Sequence, residues 1–263
     1  MVISGWKKLP AVKFLRVKVS SFLGFISLGM INAKGCKVQE SVVKSRVRWM
    51  NMKDFPVFAT DFGVASLVLK EIPYRTEAYI IIQNTQQPRE LLQECIAFCR
   101  MCGAEKIYAR GHRILDTYPL YCAVYEMHGY ARVDEAQVAN LWPVTEETVA
   151  QWRQLMNERL RSVDNAATLE KKDEQEILQS GGAYFVHNKG ELLGAGWLQD
   201  GELKLLAACK AGAGEQVCHT LFSTIPDLQI KLEVASTNGR AIRLYEKLGF
   251  ISAAELRSWY RVG

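Results

Sequence analysis

The sequence predicts an α/β (α+β) chain built as a mixed, twisted sheet flanked by helices. Three observations predict it. From Met52 onward, β-rich runs alternate with stretches of helical apolar spacing, punctuated by Gly, Pro, Asn and Asp. The alternation strand, helix, strand recurs in both halves, the pattern expected of strands covered by crossover helices. Apolar residues make up 49% and charged residues 23%, a globular composition that excludes disorder throughout. A chain of 263 residues has room for one large domain or two small ones.

Residues 1–49 stand apart. They hold ten basic residues and a single acid, Glu40, for a charge of +9, while the rest of the chain carries −4 of the +5 total. The positive balance therefore belongs to an extension. No nucleic-acid partner is expected, because that needs a basic face on the folded part. A basic stretch at 7–18 before an apolar run at 22–33 superficially fits a signal peptide, and the scarcity of acids fits a transit peptide. The preferred reading is that the natural start is Met50 or Met52, and 1–49 is left out of the functional argument. No apolar run reaches the ~18–20 residues of a membrane-spanning helix, so stable membrane association is not expected. Seven cysteines without a small-scaffold pattern favour reduced thiols and the cytoplasm.

The elements follow in order. Residues 63–69 and 77–83 read as strands, and Pro88 opens a helix over 89–102 with apolar spacing at Leu91, Leu92, Cys95, Ile96, Cys99 and Cys102, stopped by Gly103. Residues 106–109 form a short strand, 113–128 fit neither period, and 130–133 offer another strand. A second unit starts near Trp142, with helices over about 146–162 and 167–179 and a stop at Gly181 and Gly182. Strands at 183–187 and 192–198 read as a hairpin about 188–190. A strand at 203–209, a helix at 215–224, a strand at 228–234 and a helix at 238–248 come next, and 251–262 supplies a final strand or hairpin. The expected organisation is an extension at 1–49, a unit at 50–135 and a unit at 136–263.

The chemistry concentrates at 203–248. A strand runs into a tight loop with Gly212 and Gly214, and a helix begins at once. Glycines let backbone N–H groups approach a phosphate, and a helix N-terminus adds partial positive charge. Two glycines are a weak signal alone, and a plain strand–helix turn is the ordinary alternative. The loop is not a P-loop, since no Gly-Lys-Ser/Thr follows, and Val217 stands where a dinucleotide fingerprint needs its third glycine.

The next stretch, 232–250, reads LEVASTNGRAIRLYEKLGF. Through Asn238, Ala241, Leu244, Tyr245, Glu246, Lys247, Leu248, Gly249 and Phe250 it resembles the strand–helix segment of the Gcn5-related N-acetyltransferase (GNAT) superfamily. The start at Leu232, Glu233 and Val234 and the tail at Arg257, Trp259 and Tyr260 look most like the branch that acetylates ribosomal-protein N-termini. The resemblance is specific over about 203–262 and extends weakly back to about 142.

The resemblance implies an acetyl-CoA-dependent N-acetyltransferase without a metal. It implies a pyrophosphate loop at Lys210, Ala211, Gly212, Ala213, Gly214 and Glu215, and a pantetheine edge at Leu206, Ala207 and Ala208. It places Asn238 and Ala241 against the cofactor, Tyr245 as the acid that protonates the departing thiolate, and Glu233 as the general base. A carboxylate and a phenol suit a direct attack by an amine, which needs one proton removed and one returned. Each has a plainer alternative: Tyr245 as a packing residue, Glu233 as a solvated carboxylate, Asn238 as a helix N-cap. The loop departs from the family pattern in having Cys209 where Gln or Arg usually stands, and Lys210 offers a compensating charge. The implied acceptor is an amine-bearing small molecule or a protein N-terminus, and a homodimer is left open.

Two further readings compete. The same residues could make a non-catalytic acyl-CoA-binding module. The spacing Cys95, Cys99, Cys102 matches radical SAM cluster ligands, but it also places three small residues along one face of an amphipathic helix, the favoured reading. The N-terminal unit reads, from the order of its elements, as a second copy of the acetyltransferase core, degenerate because its loop at 84–89 contains no glycine, or else as an unrelated α/β unit.

Overall fold

The computed structural model describes residues 57–263. The expectations for 1–49 and for a start at Met50 or Met52 lie outside the described residues. The first half runs β1 (Val57–Thr60), β2 (Gly63–Val68), α1 (Ile72–Arg75), β3 (Glu77–Thr85), α2 (Pro88–Met101), β4 (Lys106–Arg110) and β5 (Leu120–Tyr130). The second half runs β6 (Asn140–Pro143), α3 (Val149–Leu160), α4 (Glu174–Ser180), β7 (Ala183–Asn188), β8 (Glu191–Gln199), β9 (Glu202–Ala208), α5 (Gly214–Phe222), β10 (Gln229–Ala235), α6 (Gly239–Lys247) and β11 (Ile251–Arg261).

The strands form one sheet in the order β1-β2-β3-β4-β11-β5-β10-β9-β8-β7-β6. The order is nearly a palindrome of two units. Each unit has an antiparallel strand leading into a parallel pair, β3 with β4 and β9 with β10. At the centre the halves exchange strands: β11 of the second half pairs with β4, and β5 of the first half pairs with β10. β5 and β11 pair antiparallel with each other. The parallel pairs even share an ion pair, Lys106–Glu77 at 3.5 Å in one and Lys231–Glu202 at 3.3 Å in the other, on directly opposed residues.

α2, α5 and α6 cover one face of the sheet and α3 and α4 cover part of the other. On the first face, α2 buries Leu91, Leu92, Cys95 and Cys99 on β2, β3 and β4, and α5 buries Val217, Cys218, Leu221 and Phe222 on β8, β9 and β10. On the second face, Trp152 and Met156 of α3 pack on Ala195, Trp197 and Ala207. Between these helices and the first half, the same face carries Tyr79, Tyr108, Cys122, Val124 and Trp259. The burial of these side chains, roughly 1.5–3 kcal/mol for each large apolar one, holds the two halves together.

Three sequence expectations change. The undecided 113–128 resolves into a 3-10 turn at Arg113–Thr117 and the long strand β5. Its period was hidden because Cys122, Ala123 and Val124 are all buried, so neither face is polar. No separate strand forms at 130–133, since Tyr130 is the last residue of β5. The helix expected over 167–179 shrinks to a 3-10 turn at Lys171–Asp173 and α4. Its start is held extended instead. The N–H and hydroxyl of Thr168 donate to the buried Glu71 carboxylate at 2.9 and 2.6 Å, and the Leu169 N–H donates to Asn157 Oδ1. Asp164 accepts from the Tyr121 hydroxyl at 2.6 Å, and Arg75 donates to the carbonyls of Leu160 and Val163. The first half thereby clamps the connection between α3 and α4.

Candidate functional site

The second parallel pair does not close. β10 pairs with β9 only at Lys231↔Glu202 and Leu232↔Leu203. Just beyond, the register of β9 against β8 slips, with Lys204 the extra residue between Leu203 and Leu205. A bulge bends its strand and increases the local twist, so β9 leaves β10 at that point. β10 keeps its other edge fully paired, from Gln229↔Tyr130 to Ala235↔Val124 of β5. The result is a V-shaped slot with its apex at Leu203 and Leu232 and its mouth toward Ala208 and Ala235.

Backbone polarity lines this slot. The Cys209 N–H donates to the Leu193 carbonyl, and the Lys231 N–H to the Gly201 carbonyl. Antiparallel alternation then turns the peptide groups of Leu206 and Ala208 toward the slot from one side, and those of Glu233 and Ala235 from the other. Ala207, expected on the same edge, directs its peptide to Ala195 of β8 and its side chain under α3. Leu206 and Ala208 are thus the expected edge residues that face the opening.

The glycine loop stands at the mouth. Gly212 has φ +83° with nothing within 4 Å of a built Cβ, so it turns the chain in open space. Helix α5 starts at Gly214 with Ala213 at its N-cap, and no side chain caps it. Val217 is the first residue of the helix whose N–H finds the turn, bonding Ala213, which leaves the N–H groups of Gly214, Glu215 and Gln216 directed out of the helix end. These donors, the small Ala211 and Gly212, and the helix dipole make a cradle that fits a pyrophosphate. The charge expected from Lys210 is engaged elsewhere: its ammonium is ion-paired with Glu191. The Glu215 carboxylate is held by Lys247 at 2.5 Å. The positive character of the loop is therefore that of its backbone.

Helix α6 closes the slot on the α5 face. Asn238 is its N-cap, with Oδ1 accepting from the Ala241 N–H at 3.2 Å, so the plainer reading of that residue holds alongside any ligand role. Leu244 approaches Gly214 closely: a Cβ there would stand 3.1 Å from Leu244 Cδ2. Tyr245 points inward and is 7% exposed, packed with Phe250 and near Cys218. Burial pushes its phenol well above the ordinary tyrosine range, with the Cys218 thiol adding to the shift. It is therefore a neutral donor at physiological pH.

Glu233 occupies the opposite face. It projects away from Ile230, Leu232 and Val234, which face α5 and α6. Its carboxylate accepts from Arg257 of β11 at 2.5 Å. Directly across β10 lies Glu126 of β5, whose carboxylate meets His128 Nε2 at 2.8 Å. A phenol thus lies on the α5 face beside the slot, and Glu233 lies on the opposite face with the Glu126–His128 pair of β5 next to it across β10. The sequence singles out Tyr245 and Glu233 and gives no sign that Glu126 and His128 lie beside Glu233, because their strand comes from the other half of the chain.

The three helical cysteines divide between core and surface. Cys95 and Cys99 are fully buried under the first parallel pair, and burial pushes each thiol up to about 12, with a neighbouring Cys adding to it. Cys102 lies exposed at the C-cap. Cys95 and Cys99 pack as the small apolar residues that helical spacing predicts, whereas Cys102, expected on the same face, lies past the last helical residue and is exposed. Among the described residues no cluster of three His, Cys, Asp or Glu is arranged to hold a metal ion, and no helix is long and apolar enough to cross a membrane.

No family model matches the sequence, and no curated protein matches it. Solved structures do. A protein of Pyrococcus horikoshii assigned as an acetyltransferase superposes with a TM-score of 0.50 at 12% identity, over 80% of this chain and 74% of that one. A GCN5-related N-acetyltransferase of Sphaerobacter thermophilus gives 0.43 at 11% identity, over 76% of each chain. A tandem GNAT protein from the clavulanic acid biosynthesis pathway gives 0.45 at 10% identity, over 80% of this chain and 82% of that one. At such identities the likeness is one of fold, and the mixed sheet with its flanking helices is GNAT-like.

Proposed function

We propose that the protein is an acetyl-CoA-dependent N-acetyltransferase acting on a primary amine. The observation that carries this reading is the open slot between β9 and β10, with an uncapped helix N-terminus at its mouth and a buried phenol at its side. Acetyl-CoA, when bound, supplies the thioester. The N–H groups of Gly214, Glu215 and Gln216 would hold its pyrophosphate, and the slot-facing peptides of Leu206 and Ala208 its pantetheine arm. Asn238 and Ala241 would flank that arm from the start of α6.

The two faces suit the two proton transfers. Glu233, on the α3 face, would receive the ammonium and take its proton, and Tyr245, on the α5 face, would return one to the thiolate. The first half, read as a degenerate unit at 50–135 beside an active unit at 136–263, would shape the acceptor groove by clamping the α3–α4 connection. A protein N-terminus or small-molecule amine is the acceptor class on this reading, with the branch acting on ribosomal-protein N-termini the nearest motif resemblance. A cytoplasmic location and a homodimer belong to the same reading.

Calorimetry with acetyl-CoA, followed by a CoA-release assay over N-terminal peptides, polyamines and aminoglycosides, tests it. Acetyl-CoA binding with amine-dependent release is the expected outcome. The ion-paired state of Lys210 and Glu233 favours one second reading, a non-catalytic acyl-CoA-binding module, for which binding without turnover across the panel is the signature.

A further inference from the structure

The Glu126–His128 pair is a polar group that nothing above employs. It lies on β5, the strand that the first half inserts beside β10. Glu126 opposes Glu233 directly, so the two carboxylates share a face of the sheet at adjacent positions. His128 is two residues along, opposite Lys231, with its Nε2 turned back to Glu126 at 2.8 Å. Its imidazole side chain is 35% exposed, against 18% for Glu126. A carboxylate on one ring nitrogen fixes the orientation of the ring and leaves Nδ1 directed elsewhere. Glu126 links Glu233 to His128, since it opposes Glu233 on β10 and meets the His128 ring on its own strand.

The surroundings suit transfer of a proton away from the slot. Facing His128 are Glu126 on its own strand, Lys231 and Glu233 on β10, and Ile251 on β11. Lys231 is engaged by Glu202, and Glu233 by Arg257. Glu233 therefore has Glu126 directly opposite it, with the carboxylate-bound imidazole on the diagonal beside Lys231. A proton received there meets a partly exposed imidazole next on the path to solvent.

We infer that His128, oriented by Glu126, relays the acceptor's proton from Glu233 to solvent, so that the strand lent by the first half is part of the catalytic device. This rests on the acetyltransferase reading. The balance is as follows. The ammonium gives one proton to Glu233, which passes it by way of the opposed Glu126 to His128 and thence to solvent. The neutral nitrogen attacks the thioester carbon, the C–N bond forms and the C–S bond breaks. The nitrogen sheds a second proton to solvent as the adduct collapses, and Tyr245 gives one to the sulfur and is reprotonated from solvent. One proton leaves per turnover. His128 is a positioning and relay residue, since it acts through Glu233.

The test measures CoA release from acetyl-CoA against pH, with the amine panel and with water alone as acceptor, for the wild type, His128→Asn and Glu126→Gln, each checked by calorimetry for acetyl-CoA binding. In the wild type, turnover should rise with pH along a limb that depends on His128. His128→Asn should lose that limb and fall by about 10²-fold at neutral pH, the lower end of acid–base contributions, with acetyl-CoA affinity unchanged. Glu126→Gln, which breaks the link from Glu233 to His128, should lose the limb as well. An unaltered profile in His128→Asn, with wild-type turnover intact, overturns the relay and leaves the acetyltransferase reading standing. Acetyl-CoA binding with no release by any acceptor overturns both.

Discussion

The two parallel strand pairs are built from the same parts and end differently. β3 and β4 stay paired over five positions, from Glu77↔Lys106 to Ile81↔Arg110. β9 and β10 part after two. Both first strands of the pairs carry a register slip, but at different places. In β3 the extra residue is Gln83, beyond the last pair with β4. In β9 it is Lys204, directly after the last pair with β10. A bulge at the end of a strand only bends its exit, whereas a bulge near the start peels the strand from its neighbour. The helix entries differ in the same sense. α2 opens with Pro88, which has no N–H to offer, while α5 opens with glycines on both sides of Ala213. One pair became a packed wall and the other a slot, by the placement of a single residue and the choice of loop.

The comparison breaks most sharply at Tyr245, which has no counterpart on the first pair. Tyr245→Phe is expected to lower acetyl transfer by about 10²–10³-fold, since a general acid contributes on that scale. Acetyl-CoA affinity by calorimetry should change little, because the ring and its packing on Phe250 remain. An unchanged turnover rate would remove Tyr245 from the mechanism.

Next in size is the dependence of the slot on the borrowed strand. Met127 of β5 is 2% exposed in the core beneath α5 and α6, although its strand belongs to the first half. Met127→Ala is expected to cost about 2–5 kcal/mol in urea unfolding. Because β5 and β11 are exchanged, the loss should appear in a single transition followed equally by acetyl-CoA binding and by overall fluorescence. Two separated transitions would show that the halves are independent.

How much of this the sequence discloses follows from where periodicity survives. The α2, α5 and α6 helices and the strands β2, β3, β7, β8, β9 and β10 are legible because each keeps one polar boundary or a glycine stop. Tyr245 and the glycine loop are legible through a local motif of contiguous residues. Glu126 and His128 are not, because their relation to Glu233 comes from a strand exchange more than a hundred residues apart in sequence. The stretch at 167–169 reads as helix because the charged run after it suits one, and the Glu71 carboxylate and Asn157 amide, both distant in sequence, override that preference. The slot itself leaves no signal beyond Lys204, a bulge residue indistinguishable in sequence from an ordinary strand lysine.

A smaller effect is expected at the helix entries. Gly214→Val places a branched side chain where Leu244 already lies 3.1 Å from a Cβ, which pushes α6 from the start of α5. Acetyl-CoA affinity should fall about tenfold, or about 1.4 kcal/mol, by calorimetry. The control is Gln86→Ala in the matching loop of the first pair, exposed and expected to leave affinity unaltered. Equal losses from both would place acetyl-CoA outside the slot.

The smallest expected effect compares the helices beneath the two pairs. Cys95 and Cys99 of α2 have thiols raised to about 12 by burial, and Cys218 of α5 is also raised by burial. A thiol in an unfolded chain ionises near pH ~8.5. Below that value both states hold the proton and the stabilisation from burying a neutral thiol is fully present. Above it the unfolded state releases its proton first, so stability falls as pH rises, until the folded thiol also ionises near 12. Each such thiol contributes a slope of about 1.4 kcal/mol per pH unit in that window. Cys95→Ala should lower stability at pH 7 through the lost packing, yet flatten the decline between pH 9 and 11 by about one such slope. Urea melts across that range measure it. If the exchanged strands make the halves one cooperative unit, the flattening appears in the whole transition. If they do not, it is confined to the phase that reports α2, while the phase that reports Cys218 keeps the wild-type slope.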